Sequence, residues 1–477
     1  LPSGAQKSPL IHMDQRAFVV PGLNGSSPHT GSGFSFGLPT TCPGKPTGQG
    51  LLIEQSLCFL MAAMGPVKGL LVVAFMDYRL AQGVAGRVFS WVSAVLLVIV
   101  LSACSTLDTR VAVPEALAVR AQPVGFSQIR VWGDQAGPEL QGIIRSEQAR
   151  AKQLILSGMA GGHRHHDILA LSGGADDGAF GAGLLAGWSQ RGDRPNFSTV
   201  TGVSAGALIA PFAFLGPAYD PQLKEIYTEY TSSDLFRPQL LSGLLGGNAI
   251  ADSAPLAALI EKHVDRRMMR QLAQERAKGR LLIVGTTNLD AQRPVFWDVG
   301  RIAQSGRPEA LELIRSILLA SASVPGIFPP VRIRVVVDGE TFEEMHVDGG
   351  PTRQVFLAPA DFSFRQLDEA LGQKVERRLW VIRNSKLGPE YAEVPDRTLN
   401  ISQRSLETLT KYQSIGDIAR MHRIAQREGM SFRLASIPPG FNEPRPQSFD
   451  QTYMRALFAE GERLGRAGNM WSVRPPG

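Results

Sequence analysis

The chain is short of cysteine, histidine and clustered charge, and each shortage removes a class of explanation. Its three cysteines, Cys42, Cys58 and Cys104, are too few and too scattered for a disulfide-stapled scaffold. Its eight histidines include one cluster, His163, His165 and His166, yet no cysteine or paired acidic residue stands at ligand spacing from it. No metal is expected there, and the segment reads as solvated chain ahead of a strand. Lys and Arg number 49 against 43 Asp and Glu, for a formal charge of +6 and a pI near 9.3, which is mild for 477 residues. The basic residues form no dense run with interleaved aromatics, so a nucleic-acid partner is not expected, while attraction to an anionic lipid surface is permitted. There is no internal repeat.

What is present is concentrated in three glycine-framed turns. Gly202-Val203-Ser204-Ala205-Gly206 has the G-x-S-x-G form, in which small residues around a serine allow a sharp strand-to-helix turn that exposes its hydroxyl. Phe197 to Thr201 reads as a short strand before it and Ala205 to Leu215 as an apolar helix after it, so Ser204 is the candidate nucleophile. About thirty residues upstream, the buried-strand pattern His166 to Leu171 runs into Ser172-Gly173-Gly174-Ala175 and then a helix from about Asp177 to Trp188. Backbone N–H groups of such a loop, at a helix N-terminus, can stabilise an oxyanion, whereas alone the loop would be a packing turn. Asp176 and Asp177 are expected to cap that helix with their carboxylates. The third turn, Val347-Asp348-Gly349-Gly350, follows the strand-like Glu344 to Val347 and places Asp348 at a strand end as candidate base.

Histidine placement separates the mechanisms. A conventional hydrolase triad needs a histidine after its acid, and the only one after Asp348 is His422, in a segment of helical spacing. His346 shares a strand face with Asp348 and reads as structural. A dinucleotide site also fails, because Gly181-Ala182-Gly183 with Ala186 falls inside a helical run and no acidic residue ends the second strand.

The three motifs in this order resemble those of the patatin-like phospholipases. Val284 to Asp290 with Pro294 to Trp297, and Ile317 to Pro330, resemble further stretches of the same domain, so the resemblance covers roughly Asp167 to Phe356. It implies an α/β fold, a three-layer α/β/α sandwich with a mostly parallel central sheet. It also implies a Ser-Asp dyad without histidine: Ser204 as nucleophile, Asp348 as general base, and Gly173, Gly174 and Ala175 as oxyanion loop, with Gly202, Gly206, Gly349 and Gly350 shaping the turns. Two positions depart from the family pattern, Ala175 for a third glycine and Asp177 for a basic residue. If position 175 needs a positive φ, alanine costs on the order of 1 kcal/mol, and a carboxylate beside a developing oxyanion opposes catalysis unless it is otherwise engaged.

Upstream, Arg79 and Arg87 precede the apolar run Val88 to Val100, which ends in Leu101-Ser102-Ala103-Cys104. This ordering is that of a secretory signal. Its end resembles the lipobox of bacterial lipoproteins, which implies lipidation of Cys104 and, with Ser105 following, an outer-membrane location facing the periplasm; a transmembrane helix is the alternative reading of the same run. Residues 1–75 read as a disordered or mis-assigned extension, 76–103 as the signal peptide, 104–160 as tether and lead-in strand and helix, 161–360 as catalytic core and 361–477 as the C-terminal part of the same domain. The tether is expected over Thr106 to about Pro123. Cys104 alone would then remain, so no intramolecular disulfide is expected.

The sequence therefore predicts a membrane-anchored serine lipid acyl hydrolase acting on phospholipids or related lipids, with no metal or organic cofactor. Two other readings stay open: a catalytically weak lipoprotein of the same fold that binds lipid or a protein partner, and an esterase with a Ser-Asp-His triad through His422.

Overall fold

The computed structural model describes residues 110–135, 137–156, 165–238, 249–359, 362–372 and 375–475. The chain divides into two units, Leu1–Leu107 and Asp108–Gly477, and all described residues belong to the second. The extension, the signal segment and Cys104 lie outside the described residues.

In chain order the elements are β1 (Gln122–Pro123), β2 (Arg130–Trp132), α1 (Pro138–Leu156), β3 (His165–Leu171), α2 (Gly178–Arg191), β4 (Thr199–Val203), α3 (Ala205–Leu215), α4 (Asp220–Thr228), α5 (Ser232–Leu235), β5 (Arg237–Pro238) and β6 (Ala251–Asp252). They continue with α6 (Ala254–His263), α7 (Arg266–Ala277), β7 (Leu281–Asn288), β8 (Arg293–Asp298), α8 (Val299–Gln304), α9 (Ala310–Ala322), β9 (Val331–Val337) and β10 (Glu340–Asp348). The last are α10 (Phe364–Leu371), β11 (Glu376–Arg383), α11 (Thr398–Glu428), β12 (Ser431–Ser436) and α12 (Gln451–Ala467).

The main sheet runs β1-β9-β10-β7-β4-β3-β11-β12, with β8 on the other edge of β7 and β2 beyond it. Its centre, β7, β4, β3, β11 and β12, is parallel, and the flanking strands are antiparallel. The parallel strands are buried on both faces, which explains runs such as Ile168-Leu169-Ala170-Leu171 with no polar alternation. Ile168, Ala170, Leu379 and Val381 face one core with Ile418, Met421 and Ala425 of α11, while Leu169 and Leu171 face the larger core with α2 and α12. Helix, sheet and helix form the three layers expected.

Close approach of α2 and α12 needs small residues on both. A side chain at Gly183 would stand 2.0 Å from the Phe458 carbonyl oxygen, and one at Gly461 would stand 2.4 Å from that of Phe180. The glycine-rich composition of α2 is thus a packing requirement, which disposes of the nucleotide reading of Gly181 to Ala186.

The expected tether is docked from Arg110 onward. Arg110 pairs with Asp290 at 2.6 Å, the Val111 carbonyl accepts the Glu343 N–H at 2.8 Å, and β1 pairs with β9. Ala121 is buried with Val335, Val337 and Phe342, so this short stretch closes an otherwise open sheet edge.

Gly183→Ala is expected to lower the unfolding free energy by about 1–3 kcal/mol through overpacking. Gly416→Ala, on an exposed face of α11 with nothing within 4 Å of the new methyl, is expected to raise it by about 0.5–1 kcal/mol. Urea unfolding midpoints of the two variants check the pair, and equal shifts would show that the α2–α12 contact yields to a methyl group.

Candidate active site

The three motifs meet because of how β7 is paired. Leu281 to Gly285 of β7 pair in parallel with Thr199 to Val203 of β4, and Thr286 to Asn288 pair antiparallel with Asp348 to His346 of β10. Strand β8 occupies the opposite edge of β7 over Ile283 to Asn288. Strands β4 and β10 therefore share one edge of β7 and run toward each other, ending opposite Gly285 and Thr286. Ser204 follows the last residue of one, and Asp348 is the last residue of the other.

Ser204 sits at φ 55° and ψ −127°, a conformation that costs a non-glycine residue about 1–3 kcal/mol. Its surroundings hold it there. Its N–H donates to Ser321 Oγ at 3.0 Å, Ser321 Oγ–H donates to the Gly285 carbonyl at 2.7 Å, and the Ser204 carbonyl accepts from Ala207 and Leu208. Gly206 lets the elbow reach the oxyanion loop, since a side chain there would meet the Leu171 carbonyl oxygen at 2.4 Å. Gly202 packs on Gly206 in the same way.

Asp348 is 4% exposed. One carboxylate oxygen accepts the Gly350 N–H at 2.7 Å; the other is buried without a hydrogen-bond partner. Burial pushes the carboxyl up to about 6, against the lowering influence of the adjacent Ser204 hydroxyl and the Gly350 N–H. The serine is thus close enough to act on the carboxylate, yet no hydrogen bond of ordinary geometry joins them in this state, a looseness common in unliganded sites. The Asp348 N–H is fixed to the Ser323 carbonyl at 2.9 Å, and Gly349 fits against the Gly285 carbonyl.

The loop Gly173-Gly174-Ala175 lies beside the serine: a side chain at Gly173 would approach Ser204 Cβ at 3.1 Å. The Gly173 N–H already donates to the Gln354 carbonyl at 3.2 Å, whereas the N–H groups of Gly174 and Ala175 find no acceptor among the described residues. Ala175 is exposed on the rim at φ 50°, so the strain anticipated for alanine there is present.

Asp176 and Asp177 are not the helix caps expected. Asp177 stands at the cap position of α2 but makes no side-chain cap bond. Both carboxylates instead face the C-terminal segment. Asp176 accepts the Phe449 N–H at 2.9 Å and pairs with Arg445 at 3.1 Å; Asp177 accepts the Tyr453 hydroxyl at 2.6 Å with Arg445 at 3.5 Å. Burial raises both, Asp177 to about 6, and Arg445 opposes the shift. Their charge is engaged away from the loop's free N–H groups.

Neither candidate histidine reaches the site. His422 packs edge-on against Phe432 at 5.0 Å. Phe432 pairs with Leu379, Leu379 with Ile168 and Ile168 with Thr199, which places it at the level of the start of β4, five residues or about 17 Å below Ser204. His346 is fully buried, with Nε2 3.0 Å from Glu344 and Nδ1 3.0 Å from the Thr286 hydroxyl, which also accepts the Trp297 indole N–H at 2.8 Å. Since Thr286 accepts from Trp297 and has its own proton to donate, the network assigns His346 the neutral tautomer with hydrogen on Nε2. Burial lowers its pKa in agreement.

Ser321, Arg445 and Tyr453 were not singled out by the motif reading. Ser321 carries one local signal, a serine within an apolar helix end; Arg445 and Tyr453, about 270 residues from the loop they hold, carry none.

Residues 169–361 match the family model described as patatin-like phospholipase. The observed sheet and helices have the α/β fold of such a domain. Among solved structures, similarity is found to VipD from Legionella pneumophila, at 12% identity and a TM-score of 0.27 over 65% of this chain and 68% of that one. It is also found to the type III effector ExoU, at 13% and 0.27 over 63% and 52%, and to human GIVD cytosolic phospholipase A2, at 10% and 0.27 over 68% and 53%. The chain spans about half the length of the latter two. No curated protein sequence matches it.

A raised carboxyl pKa stabilises the fold where the group is protonated, and that contribution is lost as pH rises through about 6. The stability of Asp348→Asn relative to the parent is therefore expected to increase by about 2 kcal/mol between pH 4 and pH 8. Urea unfolding at both pH values measures it, and a constant difference would mean that Asp348 titrates as an ordinary aspartate.

Proposed function

We propose that the protein is a serine lipid acyl hydrolase that cleaves carboxylic ester bonds of phospholipids or related lipids through a Ser204-Asp348 dyad. The observation that carries this reading is the convergence of β4 and β10 on one edge of β7, which brings a strained, buttressed serine to a buried carboxylate with an unsatisfied oxygen. Burial makes that carboxylate a better proton acceptor than an ordinary aspartate, which a hydroxyl nucleophile requires.

The chemistry follows from the groups at hand. Ser204 Oγ attacks the ester carbonyl carbon while Asp348 takes its proton. The N–H groups of Gly174 and Ala175 stabilise the oxyanion, and the intermediate collapses with proton return from Asp348 to the leaving alcohol. Water then attacks the acyl-serine, Asp348 accepts its proton and returns it to Ser204 Oγ, and a fatty acid leaves. No metal or organic cofactor takes part in this scheme.

A lipid substrate also requires an interface. Gln413 of α11 contacts the Pro351 carbonyl next to the Asp348 turn at 3.3 Å, and the preceding turns of the same helix expose Leu406, Leu409 and Tyr412. Anchoring in the bacterial envelope through Cys104, facing the periplasm from the outer membrane, is part of the same proposal and rests on the lipobox resemblance.

Ser204→Ala and Asp348→Ala are each expected to lower kcat on a short-chain fluorogenic ester and on phospholipid by at least about 10³-fold, with His422→Ala near the parent. The parent's kcat/KM should rise with pH through about 6 and then level off, as the base ionises. A folded parent inactive on every ester would favour the reading in which the same fold binds lipid or a protein partner without turnover.

A further inference from the structure

Arg383 ends β11 and is 2% exposed. Its backbone is held on both sides: Arg383 pairs with Ser436, the preceding Ile382 carbonyl accepts the Ser172 N–H at 3.0 Å, and the Asn384 N–H donates to Ser172 Oγ at 2.9 Å. The Asn384 side chain donates to the Ser172 carbonyl and accepts the Gly181 N–H, so the strand end is fixed against the oxyanion loop. The side chain itself has no such partners. Its guanidinium makes no hydrogen bond or ion pair among the described residues, and its Nε is buried without an acceptor.

The two carboxylates that act on it from a distance are already engaged. Glu390 pairs with Lys411 at 2.7 Å and lies 3.9 Å from Lys386, and Asp177 is held by Tyr453 and Arg445. Burial lowers the Arg383 pKa to about 10, which still leaves the group a full cation near neutral pH. A buried, unpaired guanidinium is costly in a finished fold unless an anion completes it.

Its location says which anion. Register places Ile382 level with Leu171 and Leu171 level with Gly202, so Arg383 is level with Val203, one residue before the nucleophile. Strand β3 alone separates β11 from β4, so the two strand ends lie about 10 Å apart. That gap is spanned by an arginine side chain together with the glycerol backbone that joins an ester carbonyl to a phosphate. Strand C-terminal ends are where ligands enter a parallel sheet, and the planar fork of arginine matches two phosphate oxygens at once.

We propose that Arg383 is a specificity-determining residue that binds the phosphodiester group of a phospholipid whose ester carbonyl lies at Ser204. This rests on the acyl-hydrolase reading of Ser204 and narrows it to phosphorylated lipids over neutral glycerides.

The test has a binding arm and a kinetic arm, both on the full chain. In the first, titration calorimetry follows a short-chain diether phosphatidylcholine, which cannot be hydrolysed, the matching diether glycerol without phosphate, and inorganic phosphate. The parent should bind the phosphatidylcholine in preference to the diether glycerol. Arg383→Gln should weaken the phosphatidylcholine roughly 10- to 100-fold, as expected for losing charge-assisted hydrogen bonds, with Arg383→Lys intermediate.

In the second arm, the ratio of kcat/KM on phosphatidylcholine to that on diacylglycerol should fall by a similar factor in Arg383→Gln. An unchanged ratio, or equal loss on both lipids, would overturn the proposal in favour of a structural role. Arg383-dependent binding of inorganic phosphate without binding of the diether lipid would overturn it in favour of a free-phosphate site. Should Arg383→Gln fail to fold, equal affinity of the parent for the two diether probes is sufficient to refute it. Arg383-dependent lipid binding in a parent that hydrolyses no ester would refute the hydrolase reading and leave the phosphoryl site standing.

Discussion

The candidate site depends on one strand having two neighbours along a single edge. Strand β7 carries parallel β4 up to Gly285 and antiparallel β10 down to Thr286, so two chain segments about 140 residues apart end on adjacent residues. A register slip of one residue in β10 would turn Asp348 to the other face of the sheet and remove it from Ser204. Something must specify that register. The buried network of Arg130, Glu344, His346, Thr286 and Trp297 does so by tying two alternate side chains of β10 to β2, β7 and β8. Glu344 is held well below the usual carboxylate range, at about 2: the Arg130 and His346 interactions outweigh the opposing effect of burial. A slipped strand would bury that charge without partners, a penalty that selects the native alignment.

Helix α9 completes the constraint from one side. Ser321 near its end holds the Ser204 N–H, and the carbonyl of Ser323 just beyond holds the Asp348 N–H. One rigid element thus sets the height of both Ser204 and Asp348. Strain at Ser204 persists because the bonds that would have to break to relax it are buried and linked to the Gly285 carbonyl of β7. The cost of the elbow is spread over the same sheet that aligns Ser204 with Asp348.

The motifs were legible because each is local. Gly202 to Gly206, Gly173 to Ala175 and Asp348 to Gly350 impose steric conditions that a few consecutive residues meet by themselves, and buried-strand patterns such as Ile168 to Leu171 announce a parallel sheet. The role of His346 was legible for the same reason, since strand alternation already put it beside Asp348 while its neighbours supplied a partner. The reading of Asp176 and Asp177 failed where the decisive partner was remote. Local propensity makes an aspartate before a helix a cap, but Arg445, the Phe449 N–H and Tyr453 offer a buried carboxylate more than a frayed helix end does. The docking of residues 110–123 is illegible for the same reason, because two residues of β1 and two turns of 3-10 helix leave no periodicity to read.

Remote partners also settle the electrostatic question raised by the oxyanion loop. A carboxylate at position 177 threatens an oxyanion only if its field is uncompensated at the loop. Here Arg445 and Tyr453 draw that charge toward the C-terminal segment. Arg383 stands on the other flank with no such partner. The rim is therefore asymmetric, with Asp176 and Asp177 paired from within the chain and the Arg383 guanidinium without a partner among the described residues. In a low-dielectric cleft that asymmetry acts on the ligand rather than on the fold. On the proposed reading it orients a phosphodiester before the ester meets Ser204, and a lipid without phosphate gains nothing from it.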